Sequence, residues 1–368
     1  MSVALYCPIK PPDHPIPSGD RAIARDLLTA LRLAALRPFL ASRHIAYSKR
    51  PERWSERERE ALAEADRVIE TLGDDPPALW LTYHPYCKAP DWIGPRVARA
   101  LSIPYVTLEA ARTAQPGFER GRQAAREAFR AADLHLVLKP TDRAMLLDGG
   151  IPPERLAPIA PFIDIAALDA ARGRFDPPSH WRTDEPVVLV AAMMRPGKKE
   201  RNFRIAARAV AANLAQPFRV VVAGDGPAAD EVRSFFCAVD ASRIRFTGLL
   251  ERPALLAAME HADVFLWPGH REPIGMTFLE AASRRTPAVA FADMGVPLVV
   301  EDGRTGLLAP VDDEAALAER LALLLAQPRL REDLAAGARE RLEERHGLAA
   351  AARALRAALA PLVNQGVR

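Results

Sequence analysis

The chain has 368 residues, 49% of them apolar. That is more than one hydrophobic core usually serves, so two domains are expected. The 50 Lys and Arg against 47 Asp and Glu leave a net charge of +3, with the arginines scattered, which argues against a nucleic-acid partner.

Residues 3–7 read as a short apolar strand. The proline-dense stretch 8–20 forbids a helix and stiffens a loop. Residues 21–36 then read as a helix, with Ser18, Gly19 and Asp20 at its start. A loop after the first strand of an α/β domain faces the ligand crevice, so Lys10 or the amides near Gly19 are placed to reach an anion. A plain turn explains the same residues. Residues 52–70 read as an exposed helix with opposite charges at i,i+4 spacings. Residues 79–83 form a strand ending at His84-Pro85-Tyr86-Cys87-Lys88; His84 is either a site residue or a structural one. A helix at 91–101 and a strand at 104–108 follow, with Glu109 and Arg112 past the strand end. Then come a helix at 124–132, a strand at 134–138, Thr141 as a helix cap, and a strand at 156–159. Residues 163–183 have no clear period and read as the linker.

The second half opens with a buried strand at 186–192. Arg195 and Lys199 flank Gly197, and two cations beside a glycine suit a diphosphate, although a solvated basic turn has the same composition. A helix at 203–214 and a strand at 218–223 lead to Gly224-Asp225-Gly226-Pro227-Ala228-Ala229. This has the G-x-G-x-x-A spacing of a dinucleotide loop, but the acid expected at the end of the next strand is missing. Pro227 at the start of the next helix accounts for the turn. A helix at 253–261 and a strand at 262–266 precede Trp267-Pro268-Gly269-His270-Arg271-Glu272-Pro273-Ile274-Gly275. That loop leads into a helix, then a strand at 288–291. A helix start attracts anions, and Glu272 and Glu280 flank it as acceptors for hydroxyls. Thr277 and Glu280 also have the spacing of a capping box. A short strand at 307–310 and helices at 313–325, 329–344 and 349–362 end the chain. Both halves alternate strand and helix, which predicts an α/β fold of two doubly wound Rossmann-like domains facing a central crevice.

At this point the motifs carry a likeness. Glu272-x7-Glu280, in EPIGMTFLE, resembles the signature of retaining GT-B glycosyltransferases, group 1 (glycosyltransferase family 4-like). GDGP at 224–227, FTG at 246–248, ADVFLWPG before the motif and DGRTGLLAP after it are similar to that family's pattern over nearly the whole second half. The first half agrees more loosely, through Gly19, the strand ending at Leu108 and Phe162-Ile163-Asp164. The resemblance implies an acceptor-side domain over residues 1–170, with the helix at 349–366 packed back on it. It implies a nucleotide-sugar-binding domain over 184–345. Glu280 would hold the ribose and Glu272 the sugar hydroxyls. Gly275, Met276 and Thr277 would offer amides, Arg195 and Lys199 would neutralise the leaving diphosphate, and Gly248 and Leu249 would meet the base. The expected donor is a UDP- or GDP-sugar, with no tightly bound cofactor and no metal, since no DxD arrangement is present.

Two departures stand out. Where the family writes an arginine five residues before a lysine, this chain has Met193 before Lys198, and Arg195 takes the task from a shifted position. Where the family carries a histidine after the strand ending at Leu108, this chain has Glu109, with His84 past the preceding strand. The implied reaction is hexosyl transfer with retention, to a carbohydrate, lipid-linked or small-molecule acceptor. A nucleotide-sugar epimerase, a non-catalytic sugar-nucleotide binder and an NAD-dependent dehydrogenase are the competing readings. Cys7, Cys87 and Cys237 form no disulfide framework or zinc spacing, no signal-type segment opens the chain, and no apolar run nears the about 18 residues of a membrane span. A cytoplasmic location is therefore expected, with peripheral contact at the inner membrane face left open.

Overall fold

The computed structural model describes residues 1–16, 18–111, 117–182 and 184–364; Pro17, Arg112, Thr183 and residues 365–366, which figure in the expectations above, lie outside them. The chain divides into two compact units, Met1–Phe162 with Leu348–Arg368, and Ile163–Gly347.

The first unit contains β1 (Ser2–Tyr6), α1 (Gly19–Leu33), β2 (Arg37–Ser42), α2 (Trp54–Leu72), β3 (Leu79–Tyr83) and α3 (Gly94–Leu101). It continues through β4 (Tyr105–Leu108), α4 (Glu119–Ala131), β5 (Leu134–Val137), α5 (Pro140–Asp148) and β6 (Leu156–Pro158). Its strands pair in parallel in the order β2-β1-β3-β4-β5-β6. The central strands are buried on both faces, which is why they read as continuous apolar runs. Strand β2 escapes that reading. It is an edge strand of half-buried residues with Pro38 in it, and an edge tolerates a missing N–H. Asp91 does not start α3 but caps it from outside, accepting from the Ile93 and Gly94 amides at 2.9 and 2.7 Å. Thr141 is not a cap either: α5 begins at Pro140, whose absent N–H costs nothing in the first turn, and its cap position is Lys139.

The second unit contains α6 (Ile165–Ala170), β7 (Val187–Ala191), α7 (Lys198–Ala211), β8 (Arg219–Ala223), α8 (Ala229–Phe235), β9 (Ile244–Gly248), α9 (Arg252–His261) and β10 (Val264–Leu266). Then follow α10 (Met276–Ser283), β11 (Ala288–Phe291), α11 (Val296–Val299), β12 (Gly306–Ala309), α12 (Glu314–Ala326) and α13 (Pro328–Arg341). The sheet is again parallel, in the order β12-β11-β10-β7-β8-β9. After a π turn at Leu342–His346, α14 (Leu348–Asn364) returns to the first unit and packs on α1.

The stretch expected to be a linker is partly structured. Asp164 caps α6 by accepting from the Ala167 amide at 2.9 Å, and α6 packs on α10 within the second unit. Residues 163–170 therefore lie with the second unit, not the first. Helix α7 starts five residues earlier than its apolar period indicates, because its first turn, Lys-Lys-Glu-Arg, is all charged. Helix α8 starts at Ala229, so Pro227 belongs to the turn before it.

Candidate functional site

In an open parallel sheet, ligands bind past the carboxyl ends of the strands where the strand order reverses. In the second unit that point lies between β7 and β10, so the loops after these two strands meet there. The first carries Arg195 and leads to Lys199 in the opening turn of α7. The second runs from Trp267 to Gly275 and carries Glu272.

The two loops do meet. Lys199 Nζ donates to Glu272 Oε2 at 2.7 Å and stands 5.1 Å from the centre of the Trp267 ring. The loop behind Glu272 is tied down. The Asn202 side chain accepts from the His270 amide at 2.8 Å and donates to the His270 carbonyl at 3.2 Å. Asp293 Oδ2 accepts from the Arg271 amide at 2.7 Å, and the Glu272 carbonyl accepts from Gly295. Arg195 is exposed and has no ion pair among the described residues.

Gly275 is the N-cap of α10, with φ 84°, in the left-handed region. A Cβ there would also come within 2.6 Å of the Phe278 ring, so both backbone and packing demand glycine. Met276 and Thr277 follow as the first two helical residues, and the leading amides of a helix have no partner within it. The capping-box alternative for Glu280 does not hold. The cap is Gly275, two residues before Thr277, and the Glu280 carboxylate accepts from Arg252 Nε at 2.9 Å instead. Burial pushes the Glu280 carboxyl above its ordinary range, against the opposing pull of Arg252. Gly248 ends β9 with φ 70° and nothing crowding it, and Leu249 beside it is 60% exposed.

The glycines of the dinucleotide-like loop have a local explanation. A Cβ on Gly224 would strike the Ala192 carbonyl and one on Gly226 the Met194 carbonyl, and the Met194 amide donates to Asp225 at 2.9 Å. These glycines let the loop after β8 seat against the loop that carries Arg195.

The first unit has its own reversal, between β1 and β3. Gly19, capped by Ser18 at the head of α1, and His84, past β3, lie on its two sides. His84 Nδ1 lies 3.0 Å from Asp20 Oδ1, and its ring stacks on Tyr86 at 5.4 Å. Burial lowers the imidazole pKa, but Glu109 and Asp20 outweigh it and the net shift is upward. Asp20 is raised by burial yet held lower overall by His84. His84 and Glu109 both have φ 57°, at the ends of adjacent strands. Glu109 is buried and accepts from Lys139 Nζ at 2.8 Å, and Lys139 also meets Asp142 at 3.1 Å. Burial lowers the Lys139 pKa, but the two carboxylates outweigh it and hold it raised.

Several of these partners are silent in the sequence. Asn202 is a buried amide inside a helix, an outlier that period alone passes over. Arg252 and Asp20 sit in the ordinary first turns of α9 and α1. Among the described residues, no group of three or more His, Cys, Asp or Glu is placed to hold a metal ion, and no helix is long and apolar enough to cross a membrane.

Residues 172–341 match the family model described as glycosyl transferases group 1. Over 235 residues the chain is 29% identical to alpha-D-kanosaminyltransferase of Streptomyces kanamyceticus, a match covering 62% of this chain and 60% of that protein. The chain thus spans under two thirds of that curated relative's length. A glycosyltransferase structure from Rickettsia africae aligns at a TM-score of 0.74 and 13% identity, covering 100% of this chain and 98% of that one. The Anabaena HepE structure in complex with UDP and glucose aligns at 0.66 and 16%, covering 98% and 100%. Matched by sequence across its second unit and by fold along its length, the chain is a GT-B protein related to the group 1 glycosyl transferases.

Proposed function

We propose that the protein transfers a hexosyl group, with retention, from a nucleoside-diphosphate sugar to an acceptor hydroxyl, without a metal. The observation that carries this reading is the Lys199–Glu272 pair at the strand-order reversal of the second unit, beside the glycine-capped start of α10. A cation, a carboxylate and a helix N-terminus in one place match a ligand with a diphosphate flanked by hydroxyls.

In this reading the diphosphate lies against the amides of Gly275, Met276 and Thr277, with Lys199 and Arg195 supplying positive charge. Glu280 takes the ribose hydroxyls and Glu272 the sugar hydroxyls; Gly248 and Leu249 border the base. The bond between the anomeric carbon and the phosphate oxygen breaks, and its electron pair leaves with the nucleoside diphosphate. The acceptor oxygen bonds to the anomeric carbon on the same face and passes its proton to the departing phosphate. The protein stabilises the charge that develops on the leaving group, where preorganised donors count for most. His84, oriented by Asp20, serves on the acceptor side, with Gly19 opening the turn beside it.

The test is nucleotide release from a panel of UDP-, GDP-, ADP- and dTDP-sugars in EDTA, with and without candidate acceptors, against Glu280→Ala. Release of one nucleotide that the substitution abolishes supports donor chemistry and names the base. Acceptor dependence separates transfer from epimerisation and hydrolysis. Absence of both turnover and calorimetric binding across the panel overturns the reading.

A further inference from the structure

Helix α4 places Arg122, Arg126 and Arg130 at successive four-residue steps, so they share one face over about 12 Å. Arg122 pairs with Glu119 at 3.0 Å, while Arg126 and Arg130 are exposed and have no ion pair among the described residues. This contrasts with α2, where Arg57 and Arg67 each meet a glutamate three residues away. Like charges at i,i+4 repel on a helix, so the run on α4 is kept at a small expense in helix stability.

All three arginines border a cavity of about 370 Å³ in the first unit. Its floor is apolar: Phe129, Leu146 and Ile151 from the packed cluster between α4 and α5, with half-buried Met145 beside them. Asp148 is the acid in its lining. The cavity reaches Cys87 and Ala111, just past the carboxyl ends of β3 and β4, the edge on which parallel sheets take ligands. Its size falls in the roughly 300–1,000 Å³ range of small-molecule sites.

We propose that this cavity binds an amphiphilic phosphate monoester, its phosphate on Arg126 and Arg130 with Arg122 near, and its apolar chain on Phe129, Met145 and Ile151. A phosphate monoester carries about −1.5 to −2 charges and three acceptor oxygens, and so engages several guanidinium forks where a carboxylate is satisfied by one. The apolar floor gives the ester's chain what inorganic phosphate lacks. The site is independent of the donor reading above and stands on binding alone.

The experiment uses the full chain and calorimetry at low salt with hexyl phosphate, inorganic phosphate and hexanol. Hexyl phosphate is expected to bind about tenfold tighter or more than either fragment. Arg126→Gln/Arg130→Gln is expected to remove that binding with an unchanged circular dichroism spectrum and a melting temperature no lower than the parent's, both side chains being exposed and their mutual repulsion being relieved. Met145→Gln is expected to weaken hexyl phosphate but leave inorganic phosphate alone. Flotation with phosphatidylcholine vesicles, with and without phosphatidic acid, separates the two sources of the ligand. Arginine-dependent recruitment by phosphatidic acid identifies a membrane lipid; binding of the soluble ester alone identifies a soluble one. Hexyl phosphate binding no better than phosphate, or binding indifferent to the double substitution, overturns the proposal.

Discussion

Replacing Lys199 by methionine separates two roles for this side chain. If Lys199 serves only to satisfy Glu272, its loss is a small structural event. The pair is partly exposed, with side chains at 35% and 20%, and ion pairs of that kind contribute about 0–1 kcal/mol. The melting temperature should then move by a few degrees at most, since about 1 kcal/mol shifts a domain of 150–250 residues by about 2–4 °C. If Lys199 also meets the leaving diphosphate, its loss removes a positive charge aimed at developing negative charge. Removing one preorganised donor of that kind costs about 10²–10³ in kcat, or about 2.7–4 kcal/mol. Lys199→Met should therefore lose about 10²-fold or more in nucleotide release while melting almost normally. A cycle with Glu272→Gln assigns the effect. A lysine that only positions Glu272 makes the double variant no worse than Glu272→Gln alone, whereas a lysine that acts on the phosphate adds its own loss. A loss under fivefold, or a double variant indistinguishable from Glu272→Gln, would refute the assignment of Lys199 to the diphosphate.

Three further outcomes are expected. Gly275→Ala forces a side chain into φ 84° and onto the Phe278 ring, which costs about 1–3 kcal/mol; calorimetry should show a lower melting temperature, and nucleotide binding should weaken with it. Asn202→Ala strands the buried His270 amide at about 1–3 kcal/mol, so that amide should exchange hydrogen faster while the β7 and β8 amides keep their protection. For Glu280 the sign follows from its raised pKa: its contribution to stability is fully present below the ordinary carboxylate range and is lost as pH rises through the folded value. Glu280→Gln should therefore melt no lower than the parent at pH 7, yet bind the nucleotide about 10- to 100-fold more weakly, because hydrogen bonds to a charged group are worth about 1.5–3 kcal/mol. A lower melting temperature together with unchanged nucleotide affinity would place Glu280 in the scaffold instead.

How much of this could be read beforehand varies with what each residue answers to. The central strands of both sheets were legible because burial on both faces leaves an uninterrupted apolar run. Strand β2 was not, since an edge strand with a proline and half-exposed side chains looks like loop. The start of α7 was hidden by its charged first turn, and α6 by its shortness; its one local sign is Asp164, three residues before the amide it caps. The arrangement of Glu272 beside a helix start was legible from the order strand, glycine loop, helix. The partners that fix it were not. Asn202 lies 68 residues from His270, Arg252 lies 28 from Glu280, and Asp20 lies 64 from His84. These separations close only through the strand order, and one sequence does not state that order.

The same strand order explains why each carboxylate of the second unit's site is held by a cation. A half-buried carboxylate without a partner is costly, and Glu272 and Glu280 sit where a helix N-terminus alone cannot serve both. Lys199 answers the first and Arg252 the second, each brought from the first turn of another helix. In the proposed reaction these pairs exchange partners. Lys199 turns toward the diphosphate, and Glu272 is freed to accept from sugar hydroxyls while the charge sum of the site stays nearly constant. Arg252 can swing outward, being about half exposed, and leave Glu280 to the ribose. The ligand then replaces existing ion pairs rather than creating charge in a bare site, and most of the desolvation is already met by the fold. Arg195 has no ion pair among the described residues to give up, so its contact with the diphosphate displaces none of them, and its exposed position past β7 suits that part.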